Sequence, residues 1–461
     1  MASKTTSSVA AIVLAAGKGT RMKSAVPKVM HEVAGRPMVL HVLDAVKAIG
    51  AARAVVVIGP DMPEVGEVVR PFETAVQQRQ LGTADAVNSA KAALGDFRGT
   101  VFILYGDTPL IAPETLRHML AARERTKPAT AIVVLGFRPE EPGAYGRLIV
   151  DRSGALTAIV EAKDATPAEL KIALCNSGVM AVDGALLWEL LEKVDNKNAK
   201  GEYYLTDIVA LARKKKLRCG YIEAPEKQLL GVNDRVDLAK AEAALQDRLR
   251  RAAMASGVTM LDPASVFLCW DTRLGRDVFI GPNVVFGPEV IVHDGAEIRA
   301  FCHLHGAEVG PGALVGPYAR LRPGTKLGPN VHIGNFVECK AALLGEGAKA
   351  NHLAYVGDAE VGAKVNIGAG TITANYDGFF KHKTVIGKGA SIGSNTVLVA
   401  PVKVGDGALI GANSTITREV SPDALAVTRA EQREIPGAAK RYREKKLAEK
   451  AAKGKAKDGK G

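Results

Sequence analysis

Two hydrophobic rhythms divide the chain. Over residues 9 to about 230, short apolar runs alternate with amphipathic stretches. Val9 to Ala16, Ala54 to Ile58, Thr100 to Leu104 and Ala131 to Leu135 read as strands, and Met38 to Ile49 reads as a helix between two of them. Apolar strands separated by helices predict a mostly parallel sheet covered on both faces. Ligands of such folds gather at the carboxyl ends of the strands. Residues 234 to about 254 then place Leu238, Ala241, Leu245, Leu249 and Ala252 at spacings of three and four. That is one apolar helical face, opposite Asp247, Arg248 and Arg251, and it predicts a linker helix.

From residue 274 the period becomes six. An apolar residue, often followed by Gly, recurs at Leu274, Ile280, Phe286, Val292, Ile298 and Leu304. After a slip of one it resumes at Val309, Val315, Leu321, Leu327 and Ile333, and again at Leu344, Ala350, Val356, Val361 and Ile367. It closes with Ile386, Ile392, Leu398, Val404 and Ile410. This return predicts a parallel β-helix of hexapeptide repeats, with one apolar residue per short strand pointing inward and Gly permitting each corner. A Gly-rich sandwich would alternate at period two instead. Asp377 to Lys383 breaks the repeat and predicts a loop on one face. The expected organisation is residues 1–232 as the sheet domain, 233–256 as the linker helix, 257–430 as the β-helix and 431–461 as a basic tail.

Composition narrows the class. The net charge is +12, and residues 440–460 carry +7 of it. That stretch reads as a solvated, disordered run. No aromatic-studded basic face accompanies it, so the charge does not predict specific nucleic-acid binding. The five cysteines, Cys175, Cys219, Cys269, Cys302 and Cys339, are odd in number and lack a C-x-x-C pair, which argues for a reducing, cytoplasmic setting. No apolar run reaches membrane-spanning length.

Chemistry gathers at strand ends. Leu14-Ala15-Ala16-Gly17-Lys18-Gly19-Thr20-Arg21 closes the first strand. Gly17 and Gly19 let the backbone approach an anion, and Lys18 and Arg21 add charge. The loop matches neither the dinucleotide G-x-G-x-x-G nor the G-x-x-x-x-G-K-[ST] pattern. Pro27-Lys28 would present an ammonium to the same phosphates. Asp107 ends an apolar strand, either to hold a hard cation against phosphates or to cap the next helix.

In the second half, Arg322 and Lys340 lie eighteen residues apart, which in a solenoid of three hexapeptides per coil stacks them on one face. Stacked cations need an anion. A bound phosphosugar is the favoured anion, with neutralisation by Glu338 or Glu346 as the alternative. His352 follows in the next coil, as a packed or surface residue or as a general base. His293, His303 and His305 form a His-x-His pair with a distant third, short of a zinc set because no fourth ligand is evident.

The motif L-A-A-G-x-G-T-R-M followed by Pro27-Lys28 resembles that of the sugar-1-phosphate nucleotidyltransferases. With Gln80-Leu-Gly-Thr83, Tyr105-Gly-Asp107, Tyr145-Gly-Arg147, Glu202-Tyr-Tyr-Leu-Thr-Asp207 and Gly231-Val-Asn233, the chain resembles the bacterial bifunctional N-acetylglucosamine-1-phosphate uridylyltransferase and glucosamine-1-phosphate N-acetyltransferase family from about residue 9 to 430. The resemblance implies a Rossmann-like nucleotidyltransferase domain followed by a left-handed parallel β-helix. It implies acetyl transfer from acetyl-CoA to glucosamine 1-phosphate, then uridylyl transfer from UTP to N-acetylglucosamine 1-phosphate with release of pyrophosphate. The product would feed peptidoglycan and lipopolysaccharide synthesis. Relatives of this kind are homotrimers.

It also implies roles. Leu14, Ala15, Ala16, Gly17 and Lys28 would hold the nucleotide, with Arg21 assisting. Gln77, Gly82 and Thr83 would read the uracil. Asp107 and Asn233 would bind Mg²⁺. Gly146, Glu161 and Asn176 would hold the sugar, near Tyr105 and Gly106. Lys28, Arg21 and His352 would be catalytic. Arg322, Lys340, Tyr355, Asn366, Asn375 and Tyr376 would hold the acetyl acceptor, and Ala369, Ser394, Ala412 and Arg429 the acetyl-CoA. Where many relatives carry Gly-Thr-Gly-His, this chain has Gly82-Thr83-Ala84-Asp85, and its sugar segment reads Cys175-Asn176-Ser177-Gly178. A single-function nucleotidyltransferase with a structural β-helix is the alternative, and a non-catalytic binding subunit is a third reading.

Overall fold

A computed structural model describes residues 8–458. Residues 1–7 and the last three of the basic tail lie outside it. The chain divides into two compact units, Met1–Gly306 and Ala307–Gly461.

The first unit is built on a sheet in the order Cys219–Glu223, Ile132–Phe137, Cys175–Asp183, Thr100–Tyr105, Val9–Leu14, Arg53–Ile58, Glu73–Val76. All pairings along this path are parallel except those of Cys175–Asp183, which runs antiparallel to both its neighbours. Every residue of Val9–Leu14 is buried. Ala10, Ile12 and Leu14 pack with Val87, Leu94 and Leu187 on one face; Val9, Ala11 and Val13 pack with Val39, Val42 and Leu116 on the other. A strand buried on both faces needs a continuous apolar run, which is why the expected strands carried no polar alternation. The carboxyl ends of Val9–Leu14 and Thr100–Tyr105 lie side by side, with Leu14 opposite Tyr105.

The helix expected near residue 234 is Arg235–Ala255. Its start is fixed by Asp234, whose carboxylate accepts the Val236 and Asp237 amides. Ala241 and Leu245 pack against Met22, Val33, Met38, Leu110 and Val232. Arg248 differs from the expected solvent-facing role and donates to the Leu110 carbonyl at 2.8 Å. The packing of this helix therefore props the loops that carry Met22 and Leu110, next to Arg21 and Asp107.

Beyond it the six-residue register holds. All of the expected inward positions are buried except Leu274, which is partly covered. In the second unit the coils pair in parallel at offsets of eighteen residues, as in Ala307↔Thr325 and Arg320↔Glu338, tightening to seventeen at Glu338↔Tyr355. Two details correct the sequence reading. Inward residues come in pairs two apart, such as Val331 with Ile333 and Ala408 with Ile410, because a strand returns to the same face every second residue. The Gly after the inward residue also does not supply the turn: a Cβ on Gly345 would lie 2.7 Å from the Ala363 nitrogen of the next coil, and one on Gly393 would lie 2.4 Å from that of Ala412. Glycine is there for close approach, while the left-handed corner falls two residues later on Asn330, Lys364, Asn395 and Asn413.

The break at Asp377 to Lys383 is a loop. Its carboxylate Asp377 accepts the Phe379 and Phe380 amides at 2.8 and 2.7 Å. Those bonds, and the His382 side chain at its other oxygen, hold the Asp377 carboxyl well below the usual carboxylate range. Within the basic tail, Ala438–Asp458 is not a disordered run but a helix. Ala, Lys, Arg and Glu are strong helix formers, and a helix polar all round needs no core to face. The five cysteines are all free and buried. Burial pushes the Cys219 and Cys339 thiols up to about 12. No described helix is long and apolar enough to cross a membrane.

Candidate active sites

The carboxyl ends of the central strands open into a cavity of about 370 Å³. Leu14, Ala15, Ala16, Gly17, Lys28, Gln77, Gly82, Thr83, Tyr105 and Asp107 all line it, so the structure brings together most of the nucleotide set read from the sequence. Val29, Gln80, Ala86 and Glu202 line it as well. Gln80 and Glu202 stood in quoted motifs without a role. Gln80 donates to the Ala16 carbonyl at 2.7 Å and so fixes the backbone of the glycine loop.

The two glycine segments are there for steric reasons. Gly19 has φ +62°, and a Cβ on it would lie 2.6 Å from the Lys28 Cβ. The glycine loop and the lysine therefore touch, which explains why the motif couples them. Gly82 has φ +124°, and its Cβ would meet the Tyr203 carbonyl at 2.5 Å. The Gly82 loop is clamped there: Tyr203 donates to the Leu81 carbonyl at 2.8 Å, and Ala84 donates to the Tyr203 carbonyl at 2.9 Å. Gly178, at φ +88°, leaves room for the Tyr105 ring, which a Cβ would approach to 2.5 Å. Asn176 accepts the Gly178 amide at 2.9 Å, which fixes the turn that makes room for Tyr105.

Charge is arranged in pairs. The Lys28 ammonium donates to Asp107. Arg21 donates to the Asn233 side-chain oxygen at 2.8 Å. Val232 donates to the Asp107 carbonyl at 2.9 Å, which brings Asp107 and Asn233 together. A carboxylate and an amide oxygen are hard donors, and Mg²⁺ is held by one or two such ligands plus substrate phosphates. The donor set fits a hard divalent cation. Burial raises the Glu161 carboxyl above its usual range, and a hydrogen bond from Thr206 works against that rise. Burial also raises the Tyr105 phenol, with the charges of Glu161 and Asp107 adding to it.

In the second unit, Arg322 and Lys340 do stack. Arg322 donates its backbone amide to the Cys339 carbonyl at 2.8 Å, one residue short of Lys340. Their charge is met by protein carboxylates. Arg322 pairs with Glu338 at 2.8 Å and Lys340 with Asp358 at 3.3 Å. The stacked-cation argument for a phosphate is therefore corrected: Glu338 and Asp358 satisfy the pair without one. Asp358 also accepts from Asn375, which joins the cluster, and Tyr355 stands opposite Glu338.

His352 is not on that face. It ends the strand Lys349–His352, and the corner residue Leu353 separates it from Tyr355. His352 heads a different feature. Its carbonyl accepts the Gly370 amide at 3.4 Å, the Ala369 carbonyl accepts Asn395 at 2.7 Å, and the Ser394 carbonyl accepts Asn413 at 2.7 Å. Arg429 then donates to the Ala412 carbonyl at 2.8 Å. Ala369, Ser394, Ala412 and Arg429 thus form one column along a corner, with His352 at its head. Asn366 pairs with Lys349 and Ser391, away from Arg322 and Lys340 in the same chain. Tyr376 is exposed at the base of the loop. Among the described residues no three His, Cys, Asp or Glu side chains converge as a metal centre.

Residues 11–169 match the MobA-like NTP transferase domain, and residues 271–306, 306–341 and 383–418 match bacterial transferase hexapeptide repeats. The bifunctional protein GlmU of Paramagnetospirillum magneticum is 60% identical over 447 residues, 97% of this chain and 99% of that one. That of Rhodospirillum rubrum is 58% identical, covering 94% and 97%, and that of Azorhizobium caulinodans 54%, covering 92% and 95%. With a sheet cavity behind a glycine loop, a hexapeptide coil, and identity over nearly the full length of both chains, this protein belongs to the family of bifunctional GlmU proteins.

Proposed function

We propose that this chain makes UDP-N-acetylglucosamine by two transfers at two separate sites. In the coil, acetyl-CoA acylates the amine of glucosamine 1-phosphate. In the sheet cavity, N-acetylglucosamine 1-phosphate attacks the α-phosphorus of UTP in line and pyrophosphate leaves. The observation that carries the reading is the convergence of Gly17, Lys28, Gln77, Thr83 and Asp107 on one cavity. A coupled assay with glucosamine 1-phosphate, acetyl-CoA and UTP tests it. Pyrophosphate release only when N-acetylglucosamine 1-phosphate is added, with no free CoA from glucosamine 1-phosphate and acetyl-CoA, would leave only the single-function alternative.

No protein nucleophile is needed at the uridylyl site. Lys28 and Arg21 neutralise phosphate charge, and the glycine loop offers backbone amides. Asp107 and Asn233 hold Mg²⁺, which when bound neutralises the phosphates further. Gln77, Gly82 and Thr83 face the base, while Gly146, Glu161 and Asn176 face the sugar with Tyr105 and Gly106.

Ionised, Glu161 accepts hydrogen bonds from sugar hydroxyls at both oxygens; protonated, it turns one of them into a donor. Because burial raises its pKa, the ionised form is lost at a higher pH than for an ordinary glutamate. KM for N-acetylglucosamine 1-phosphate therefore rises on acidification through the raised pKa, and Glu161→Gln removes that limb. A wild-type KM flat down to the ordinary glutamate range would count against the role.

At the acetyl site the amine attacks the thioester directly, with His352 taking the proton. The corner column from His352 to Arg429 spans four coil steps, or about 19 Å at the usual strand spacing, a length suited to an extended carrier arm. Arg322, Lys340, Tyr355, Asn375 and Tyr376 hold the phosphosugar, and Asn366 comes from a second copy. A homotrimer supplies that copy, a reading supported by the placement of Asn366 and by the solvent-facing Phe379 and Phe380. A sedimenting mass of one chain would end it. Five buried thiols without a disulfide suit a cytoplasmic setting.

A further inference from the structure

Asp85 sits directly behind Gln77, which lines the cavity. Gln77 is buried, at 5% exposure. Its amide nitrogen donates to the Gly82 carbonyl at 3.0 Å and to the Asp85 carboxylate at 2.8 Å. A carbonyl and an ionised carboxylate are acceptors only, so both must face the NH₂ end of the amide. Those two bonds use both of its hydrogens. The side-chain oxygen is then the polar atom that Gln77 has left for the cavity it lines.

Asp85 is itself fixed. It lies in the first turn of the helix Thr83–Ser89, where a carboxylate is favoured, and it accepts the Leu81 amide at 3.2 Å. A turned Gln77 amide would set oxygen against oxygen at two places at once, so Asp85 locks the orientation. The lock holds the two sides of the base-facing corner together, since Leu81, Gly82 and Gln77 all meet at the same carboxylate or at one another.

We propose that Asp85 is a positioning residue that selects the nucleobase by holding the Gln77 oxygen toward it. The occupant is a pyrimidine with a ring N–H to donate, as uracil has and cytosine lacks. The inference rests on Gln77 facing the base in the uridylyl site. Asp85→Asn weakens the lock to the Gly82 carbonyl alone, because an Asn offers a donor or an acceptor and so meets either end of the Gln77 amide. A site built to pair a polar group discriminates strongly, and loses that discrimination when the group can turn.

The experiment measures kcat/KM for UTP and for CTP in the intact protein carrying Asp85→Asn, Asp85→Ala or Gln77→Ala. The expected result is a fall of at least about tenfold in the UTP/CTP ratio in Asp85→Asn, carried by KM, with acetyl transfer unchanged. A purely structural role would lower both nucleotides alike and leave the ratio in place. A ratio within twofold of wild type in both Asp85 variants, while Gln77→Ala lowers it, overturns the proposal but leaves the Gln77 assignment standing. A ratio unmoved by Gln77→Ala overturns both. If Asp85→Asn lowers the melting temperature too far to assay, Asp85→Ala gives the same readout, because it also takes the carboxylate from the amide and leaves only the Gly82 carbonyl.

Discussion

Replacing Lys28 by alanine should cut uridylyl transfer by about a hundredfold to a thousandfold, with acetyl transfer preserved. The ammonium is mostly covered, points into the cavity and pairs with Asp107. In the proposed reaction, negative charge grows on the phosphate oxygens as pyrophosphate departs, and this ammonium would meet it. A preorganised cation in a partly closed cavity is worth far more there than in water. The variant also leaves the Asp107 carboxylate unpaired beside a triphosphate, which adds repulsion at the same place. Pyrophosphate release with UTP and N-acetylglucosamine 1-phosphate measures the loss. Lys28→Arg should recover part of it by keeping the charge while misplacing it. Turnover within threefold of wild type in Lys28→Ala would remove the lysine from the chemistry.

The second large effect is the converse. His352→Ala should lose about a hundredfold to ten-thousandfold in acetyl transfer, the range typical of a missing general base, while pyrophosphate release stays normal. His352 is exposed at the head of the corner column. Removing it should leave the melting temperature nearly unchanged, because substitutions on exposed positions away from special features cost little. Free-CoA release reads the reaction. Loss of both activities would mean that the histidine supports structure, and loss of neither would move the base elsewhere. Because Arg322 and Lys340 sit around a corner from His352, a variant of either should raise KM for glucosamine 1-phosphate more than it lowers kcat.

The coil was legible in the sequence because its constraint repeats. An inward aliphatic followed by a glycine with no room for a Cβ leaves a mark every six residues. The glycine's reason was not legible, since close approach and a left-handed turn both favour the same residue and only coordinates separate them. The nucleotide cavity was legible through its strand-end motifs, and Lys28 through its proline. Asp85 was visible as a departure, but its bond to Gln77 depends on a side-chain orientation that spacing does not encode. Asp358 lies eighteen residues after Lys340, the same interval that paired Lys340 with Arg322, so its role as the lysine's partner was within reach. The tail helix was missed because abundant like charge was weighed above the helix propensity of alanine and lysine.

One consequence of the corner column concerns how chain length can change there. Each member hangs on the backbone of the coil before it, so a residue removed from a paired strand between His352 and Arg429 would swing the later side chains off the ridge, whereas residues lost at a corner are absorbed, as in the short coil from Leu409 to Leu425. Excising a complete turn would instead shorten the ridge by one step and keep its remaining members aligned. Length variation in this stretch therefore belongs to the corners, and natural or engineered changes that preserve acyl transfer should come as full turns, as corner trims, or as excursions that, like the one after Ala374, leave and re-enter the wall at the same height.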